Sequence, residues 1–135
     1  EVADYVDYSS LENILQGTVE EHLSSTLSAV SVGAAKLVTP KLTLDIGDPI
    51  NVSIKAADII VSKYLPSGIS ARNVLKGFVS RTNKSTNFAF LDCDIGGVSL
   101  IAALTNHSLV ELGIENGDDI FLILKATSIT PMESL

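Results

Sequence analysis

The feature that most constrains this chain is an internal repeat. Residues 13–19 read Asn-Ile-Leu-Gln-Gly-Thr-Val, and residues 73–79, which lie 60 positions later, read Asn-Val-Leu-Lys-Gly-Phe-Val. Self-similarity of this kind indicates a duplicated structural unit. A chain of 135 residues has the length of one domain or of two very small ones. The repeat therefore predicts two small copies of one unit that share a core.

A second match sets the extent of the copies. In both halves Gly-Asp is followed eight residues later by Lys-Ala, at 47–56 and at 117–126. We therefore assign the copies to residues 1–66 and 67–135, joined near the Pro- and Gly-containing segment 64–68. The interval between the two matches is ten residues longer in the second copy.

Short β-branched and apolar segments predict that both copies are built from β-strands. The predicted strands are 14–20, 26–32, 50–55 and 58–62 in the first copy and 74–82, 86–93, 97–104, 119–125 and 127–130 in the second. The single helix candidate is 108–113, with Ser108 as its cap and Gly113 as its end. The predicted class is all-β, a tandem pair of small OB-like five-stranded barrels with one short helix in the second copy.

Composition excludes several functions. Nine basic against 16 acidic residues give a net charge of −7, which repels nucleic acid and acidic membrane surfaces. A single cysteine, Cys93, is typical of a cytosolic chain, and no apolar run approaches the length of a membrane span. No Gly-Lys-Ser/Thr phosphate loop and no Gly-x-Ser-x-Gly elbow occurs, so the chain is not predicted to be an enzyme. Because the sequence starts without Met, we expect that it was excised from a longer protein.

Hydrogen-bond donors cluster around the start of the second copy. Ser70-Ala71-Arg72-Asn73 brings a hydroxyl, a guanidinium and backbone N–H groups together, and Lys125-Ala126 adds an ammonium and another N–H. Thr105 and Ser108 flank the predicted helix start. None of these groups is an obligate acceptor. Such a set is suited to a tetrahedral dianion that carries no proton.

These residues resemble a known family. The pattern Ser-Ala-Arg-Asn-x-x-x-Gly at 70–77, the stretch 103–118 and the last strand at 124–129 are similar to the molybdate-binding Mop family, also called TOBE domains. The first copy is less similar. Its start, residues 2–17, resembles the junction between an ABC-transporter ATPase domain and its regulatory tail.

The resemblance implies a di-Mop tail on the ATPase subunit of a molybdate or tungstate importer. It implies an oxyanion bound at an interface between domains. The residues implied to bind it are Ser70, Ala71, Arg72, Thr105, Ser108, Lys125 and Ala126. Its implied partners are a second copy of the chain, an upstream ATPase domain and a membrane permease. Its implied role is cytoplasmic feedback control of uptake. No cofactor other than molybdate or tungstate is implied.

The first copy departs from the family pattern. The alignment that places Asn13 with Asn73 places Ser10-Leu11-Glu12 with Ser70-Ala71-Arg72, so an anion replaces the cation. We expect no complete site in the first copy, because a carboxylate repels a dianion. Two other functions stay open: a structural dimerisation tail of an ABC ATPase for another solute, and a free-standing cytosolic molybdate-binding protein. Helix capping is an alternative role for Thr105 and Ser108.

Overall fold

The computed structural model of the chain describes residues 11–132. The resemblance of residues 2–10 to an ATPase junction and the alignment of Ser10 with Ser70 lie outside these residues. Between residues 11 and 132 no helix is long and apolar enough to cross a membrane.

The first copy contributes five strands and a short 3₁₀ helix. The strands are β1 (Glu12–His22), β2 (Leu27–Val32), β3 (Ala35–Pro40), β4 (Pro49–Lys55) and β5 (Ile60–Ser62), and the 3₁₀ helix η1 spans Ala56–Asp58. The sequence prediction missed β3 and joined the end of η1 to β5. Strand β3 has Ala, Lys and Pro among its six residues, and these residue types are depleted in strands.

The second copy follows the same order with one insertion. Its strands are β6 (Asn73–Lys84), β7 (Phe88–Asp94), β8 (Ser99–Thr105), β9 (Asp119–Leu124) and β10 (Ile129–Met132), with the 3₁₀ helix η2 at Ala126–Ser128. The inserted helix α1 spans Asn106–Leu112 and begins earlier than predicted, because Thr105 rather than Ser108 is its cap. It ends at Gly113, as predicted, with the left-handed backbone that glycine favours (φ 64°).

The strands form two five-stranded antiparallel sheets, so the all-β prediction is confirmed. The first sheet has the order β10-β4-β1-β2-β3 and the second the order β5-β9-β6-β7-β8. The last strand of each copy therefore lies in the sheet of the other copy. Val61 of β5 pairs with Leu122 of β9, and Thr130 of β10 pairs with Ser53 of β4. The repeat alone did not predict this exchange.

The residues that repeat in sequence are those that shape the first strand of each copy. An added Cβ at Gly17 would lie 2.6 Å from the Ser31 carbonyl oxygen, and one at Gly77 would overlap the Asp94 carbonyl oxygen. Only glycine therefore fits at these two positions. Two residues further on, the Val79 carbonyl accepts a hydrogen bond from the Gly117 N–H at 2.7 Å. The Gly117-Asp118 turn is thus hydrogen-bonded to β6, the strand that contains the repeated segment 73–79.

Asn13 and Asn73 join the two sheets. The Asn73 amide on β6 donates to the Val38 carbonyl at 2.9 Å, and its oxygen accepts from the Val38 N–H at 2.8 Å, on the edge strand β3. Asn13 on β1 makes the equivalent pair of bonds, 2.9 and 2.8 Å, with Ile101 on the edge strand β8. Both asparagines are buried. Each pair satisfies backbone groups that an edge strand otherwise leaves open.

A continuous apolar core lies beneath both sheets. It includes residues from all ten strands, among them Val19, Leu37, Leu91, Leu100 and Ile120, each at most 1% exposed. Cys93 is fully buried in this core, as predicted. Burial, with a smaller contribution from the nearby Asp92 carboxylate, raises the pKa of its thiol to about 12.

Candidate functional site

A cavity of about 340 Å³ opens beside the first residues of the second copy. The segment before β6, the end of β9, Lys125 and the helix η2 line it together with η1 and β5 from the first copy. Its wall is mostly apolar with a few polar groups, and it consists of Asp58, Ile60, Pro66, Ile69, Ser70, Ala71, Ile123, Leu124, Lys125 and Ser128. The exchange of β5 therefore makes this a cavity to which both copies contribute.

The cavity lies where the ladder between β6 and β9 stops. The last pair of that ladder is Asn73–Leu124. Beyond it, among residues 11–132, no backbone hydrogen bond joins Ala71 to Ala126. Strands β6 and β9 thus stop pairing beside the motif at 70–73 and the Lys125-Ala126 pair.

The equivalent place in the first copy is closed. The ladder between β1 and β4 runs one pair further, to Glu12–Lys55. The Ala56 N–H then donates to the Leu11 carbonyl at 2.9 Å. Leu11 packs against the buried cluster of Ala56, Phe90 and Ala103. An apolar side chain and a paired backbone occupy the position that corresponds to the cavity.

The carboxylate of Glu12 is also engaged in the first copy. It accepts a hydrogen bond from the Ser53 hydroxyl on the neighbouring strand β4. In the alignment of the two copies, Glu12 corresponds to Arg72. The first copy therefore differs from the second in charge, in side-chain volume and in backbone pairing at the same place.

The structure brings together three of the predicted site residues. Ser70, Ala71 and Lys125 all line the cavity, and the Ser70 and Lys125 side chains are exposed to solvent. Ala126 is buried and begins η2 directly after Lys125. Arg72 is exposed between Ala71 and Asn73 and is not part of the cavity wall. In the described part of the chain, no ion pair holds the Arg72 guanidinium.

Thr105 and Ser108 lie elsewhere. The Thr105 hydroxyl oxygen accepts a hydrogen bond from the Ser108 N–H at 3.1 Å. The same hydroxyl donates a hydrogen bond to the Ser108 hydroxyl oxygen, also at 3.1 Å. Thr105 ends β8, which is the edge strand of the second sheet opposite to β5, and Ser108 lies in the first turn of α1. Helix capping accounts for this arrangement within one chain. Neither residue lines the cavity.

Two polar residues of the cavity were missed by the sequence analysis. Asp58 ends η1 and Ser128 ends η2, and both line the wall. They occupy the same position of the repeat, three residues after the Lys of each Lys-Ala pair. The alignment could have drawn attention to Ser128. It could not have placed Asp58, because only the strand exchange carries η1 to the second copy's motif.

The donor set fits a small oxyanion, with one exception. Ser70, Ser128 and Lys125 supply two hydroxyls and an ammonium, whereas Asp58 supplies a carboxylate. The side chains of the wall therefore carry one positive and one negative charge. Among residues 11–132, no group of three or more His, Cys, Asp or Glu side chains is arranged to hold a metal ion.

Comparison with known proteins shows what the second copy is similar to. Residues 69–131 match the family model of the TOBE domain, which covers the whole donor motif and the final Lys-Ala pair. Residues 69–131 are therefore similar to a TOBE domain. This agrees with the resemblance that the motif at 70–77 had indicated.

The particular relatives are proteins of molybdenum and tungsten uptake. The chain is 29% identical over 131 residues to the molybdate/tungstate import ATP-binding protein WtpC of Pyrococcus horikoshii, covering 96% of this chain and 34% of that protein. It is 26% identical over 103 residues to the molybdenum import ATP-binding protein ModC of Mesorhizobium japonicum, covering 76% of this chain and 28% of that protein. The chain spans about a third of the length of these relatives.

A solved structure shares the fold. The cytoplasmic molybdate-binding protein ModG, crystallised with molybdate bound, superposes with a TM-score of 0.78 at 24% identity, covering 93% of this chain and 98% of that chain. The likeness in fold therefore extends over nearly the full length of both chains.

Proposed function

We propose that this chain binds molybdate or tungstate as a non-catalytic oxyanion-binding module. The observation that carries the proposal is the break in the β6–β9 ladder, which opens a cavity beside Ser70, Ala71 and Lys125. The TOBE match over residues 69–131 supports it. So do the ligands named for the WtpC, ModC and ModG relatives.

The energetics of such a site are favourable despite the net charge of −7. Each hydrogen bond from a charged group contributes about 1.5–3 kcal/mol. The summed free energy of several such hydrogen bonds corresponds to a dissociation constant of about 1 μM or less. Carboxylates more than about 8 Å away are screened at physiological ionic strength, whereas the Lys125 ammonium belongs to the cavity wall itself.

We further propose that residues 1–66 and 67–135 are two copies of one OB-like barrel unit and that a second chain completes the site. Ile60 and Ile69, which line the cavity, are 60% and 46% exposed, and Tyr64 and Leu65, which precede the lining residue Pro66, are 78% and 70% exposed. A surface of this kind favours association between proteins. In a homodimer, Thr105 and Ser108 of one chain are then available to the cavity of the other. The side chain of Arg72, which is exposed beside the cavity, would bind at the same interface.

Two biological contexts are consistent with an oxyanion site. In the first, the chain is the regulatory tail of an ABC importer ATPase on the cytoplasmic side of the membrane. There, an oxyanion that fits one arrangement of two domains stabilises that arrangement and restrains uptake. The WtpC and ModC relatives support this context. In the second, the chain is a free-standing cytosolic molybdate-binding protein, which the coverage of 98% of ModG favours.

Calorimetric titration of the whole chain with tungstate, molybdate, sulfate and phosphate tests the binding proposal. We expect tungstate and molybdate to bind and Lys125→Ala and Arg72→Glu to lose at least about tenfold in affinity, one charge-assisted hydrogen bond or more. Lys41→Glu is the matched control for Arg72→Glu, because Lys41 is exposed and distant in sequence from the site and the change in net charge is the same. A folded wild-type dimer that takes up neither anion would instead favour a structural dimerisation tail.

The context is tested by the size of the native protein. An antibody against this chain should detect a polypeptide about three times its length if it is an importer tail, since the chain covers 34% of the WtpC relative. A polypeptide near 14.3 kDa would favour the free-standing protein. Co-purification with a permease would add support for the first context.

A further inference from the structure

The cavity contains one group that an oxyanion site does not require, the carboxylate of Asp58. Asp58 ends η1, and the following strand β5 pairs with β9, which ends beside Lys125. Asp58 thereby reaches a wall that also holds Ser70 and Ser128. It belongs to the first copy, whereas the donor motif belongs to the second.

The repeat shows that a carboxylate is not needed at this position for the fold. Lys55-Ala56-Ala57-Asp58 and Lys125-Ala126-Thr127-Ser128 both form a 3₁₀ helix followed by an exchanged strand. The second copy forms this element with a serine. Within residues 11–132, Asp58 makes no ion pair, and its side chain is exposed. Neither folding nor a structural salt bridge accounts for the carboxylate.

A carboxylate beside an anion discriminates by protonation. It repels a dianion that carries no proton, and it accepts a hydrogen bond from an anion that does carry one. At neutral pH molybdate, tungstate and sulfate carry no proton, whereas phosphate carries at least one. The Asp58 carboxylate therefore repels molybdate, tungstate and sulfate, and it can accept a hydrogen bond from phosphate.

We infer that Asp58 is a specificity-determining residue of this cavity, weakening proton-free tetrahedral dianions relative to oxyanions that carry a proton. The inference rests on the proposed oxyanion function and concerns the same site. In that role Asp58 sets the affinity for molybdate or tungstate below what Ser70, Ser128 and Lys125 would provide alone. In water at low ionic strength, Coulomb's law gives about a sevenfold change in the affinity for a dianion from one carboxylate charge about 7 Å away.

The test compares Asp58→Asn and Asp58→Ser with Asp119→Asn, in the whole chain. Asp58→Ser copies the residue of the second copy. Asp119 is an exposed carboxylate at the other end of β9, so its removal changes the net charge equally. Titration with molybdate, tungstate and phosphate at neutral pH and constant ionic strength gives the affinities, and thermal melting verifies that each variant is folded.

We expect both Asp58 variants to bind molybdate and tungstate about sevenfold more tightly than the wild type. The affinity for phosphate should not rise, and Asp119→Asn should stay within about twofold of the wild type. Unchanged molybdate affinity in the Asp58 variants would overturn the inference while leaving the proposed function intact, as would an equal gain for phosphate. If neither the wild type nor any variant binds an oxyanion, the proposed function fails and the inference fails with it.

Discussion

The asparagine that links the second copy to the edge of the first sheet makes a sharp stability prediction. Asn73→Ala removes both hydrogen bonds to the Val38 backbone, which measure 2.8 and 2.9 Å. It leaves the Val38 N–H and C=O without their partner in a half-buried position. Each such buried backbone group costs about 1–3 kcal/mol, and water reaches a half-buried strand in part. We therefore expect a loss of about 2–3 kcal/mol.

Urea denaturation followed by circular dichroism measures this loss. For a chain of this size the dependence of the unfolding free energy on urea is about 1–3 kcal/mol per molar, so the midpoint should fall by about 1–2 M. Asn51→Ala is the control, because Asn51 is exposed on β4 and such surface changes stay within about 0.5 kcal/mol. Asn13→Ala, which loses the equivalent bonds to Ile101 and a third at 3.2 Å to the Ile54 carbonyl, should cost at least as much as Asn73→Ala.

Equal midpoints for Asn73→Ala and Asn51→Ala would refute this reasoning. A second result would also count against it. If Asn73 were primarily an oxyanion ligand, its replacement would reduce tungstate affinity and leave the urea midpoint unchanged. The side chain's burial at 2% exposure and its two bonds within the chain argue for the structural role.

Three further predictions concern the backbone, the thiol and the linker. Gly77→Ala should prevent folding or cost at least about 3 kcal/mol by urea denaturation, because its Cβ overlaps the Asp94 carbonyl, whereas Gly117→Ala, with open space at φ 92°, should cost only about 1 kcal/mol. The Cys93 thiol, with its pKa raised to about 12, should not react with a disulfide reagent at pH 8 in the native protein and should react fully in urea. Because the folded protein keeps that proton while the unfolded chain releases it, stability should fall as pH rises from about 9 to 12, and Cys93→Ala should lose this part of the slope. Limited proteolysis between Tyr64 and Leu65, which are 78% and 70% exposed, should yield two fragments that elute together in gel filtration, and separate elution would contradict the exchange of β5 and β10.

Much of the fold followed from sequence because local rules govern it. The repeat at 13–19 and 73–79 marks the strand that each copy builds around a glycine that lies against a neighbouring carbonyl. The end of α1 followed from Gly113. Strand β3 could not be predicted from local sequence, since its stability comes from pairing with β2 and from the Asn73 bonds to Val38 rather than from its own residues. Long-range contacts of this kind override weak local propensity.

Only part of the candidate site could be predicted from the sequence, because the rest depends on long-range contacts. Ser70, Ala71 and Lys125 belong to one copy and meet across adjacent strands, so the motif located them. Asp58 comes from the other copy through a strand exchange that leaves no trace in the order of residues. Thr105 was assigned an oxyanion role by resemblance, and the structure shows it capping α1 on the opposite edge of its sheet. A spacing pattern cannot distinguish a cap from a ligand, because a hydroxyl and an N–H serve both.

The exchange of last strands also bears on why the two copies are one polypeptide. Each copy donates the strand that completes the other's sheet, so a single copy could finish its sheet only by recruiting a second molecule, at a rate and extent that depend on protein concentration. A short connection at 64–68 makes the same recruitment intramolecular. Flexible linkers of that length give effective concentrations on the order of 1 mM. Covalent fusion thus makes the completed pair of sheets independent of how much protein the cell contains.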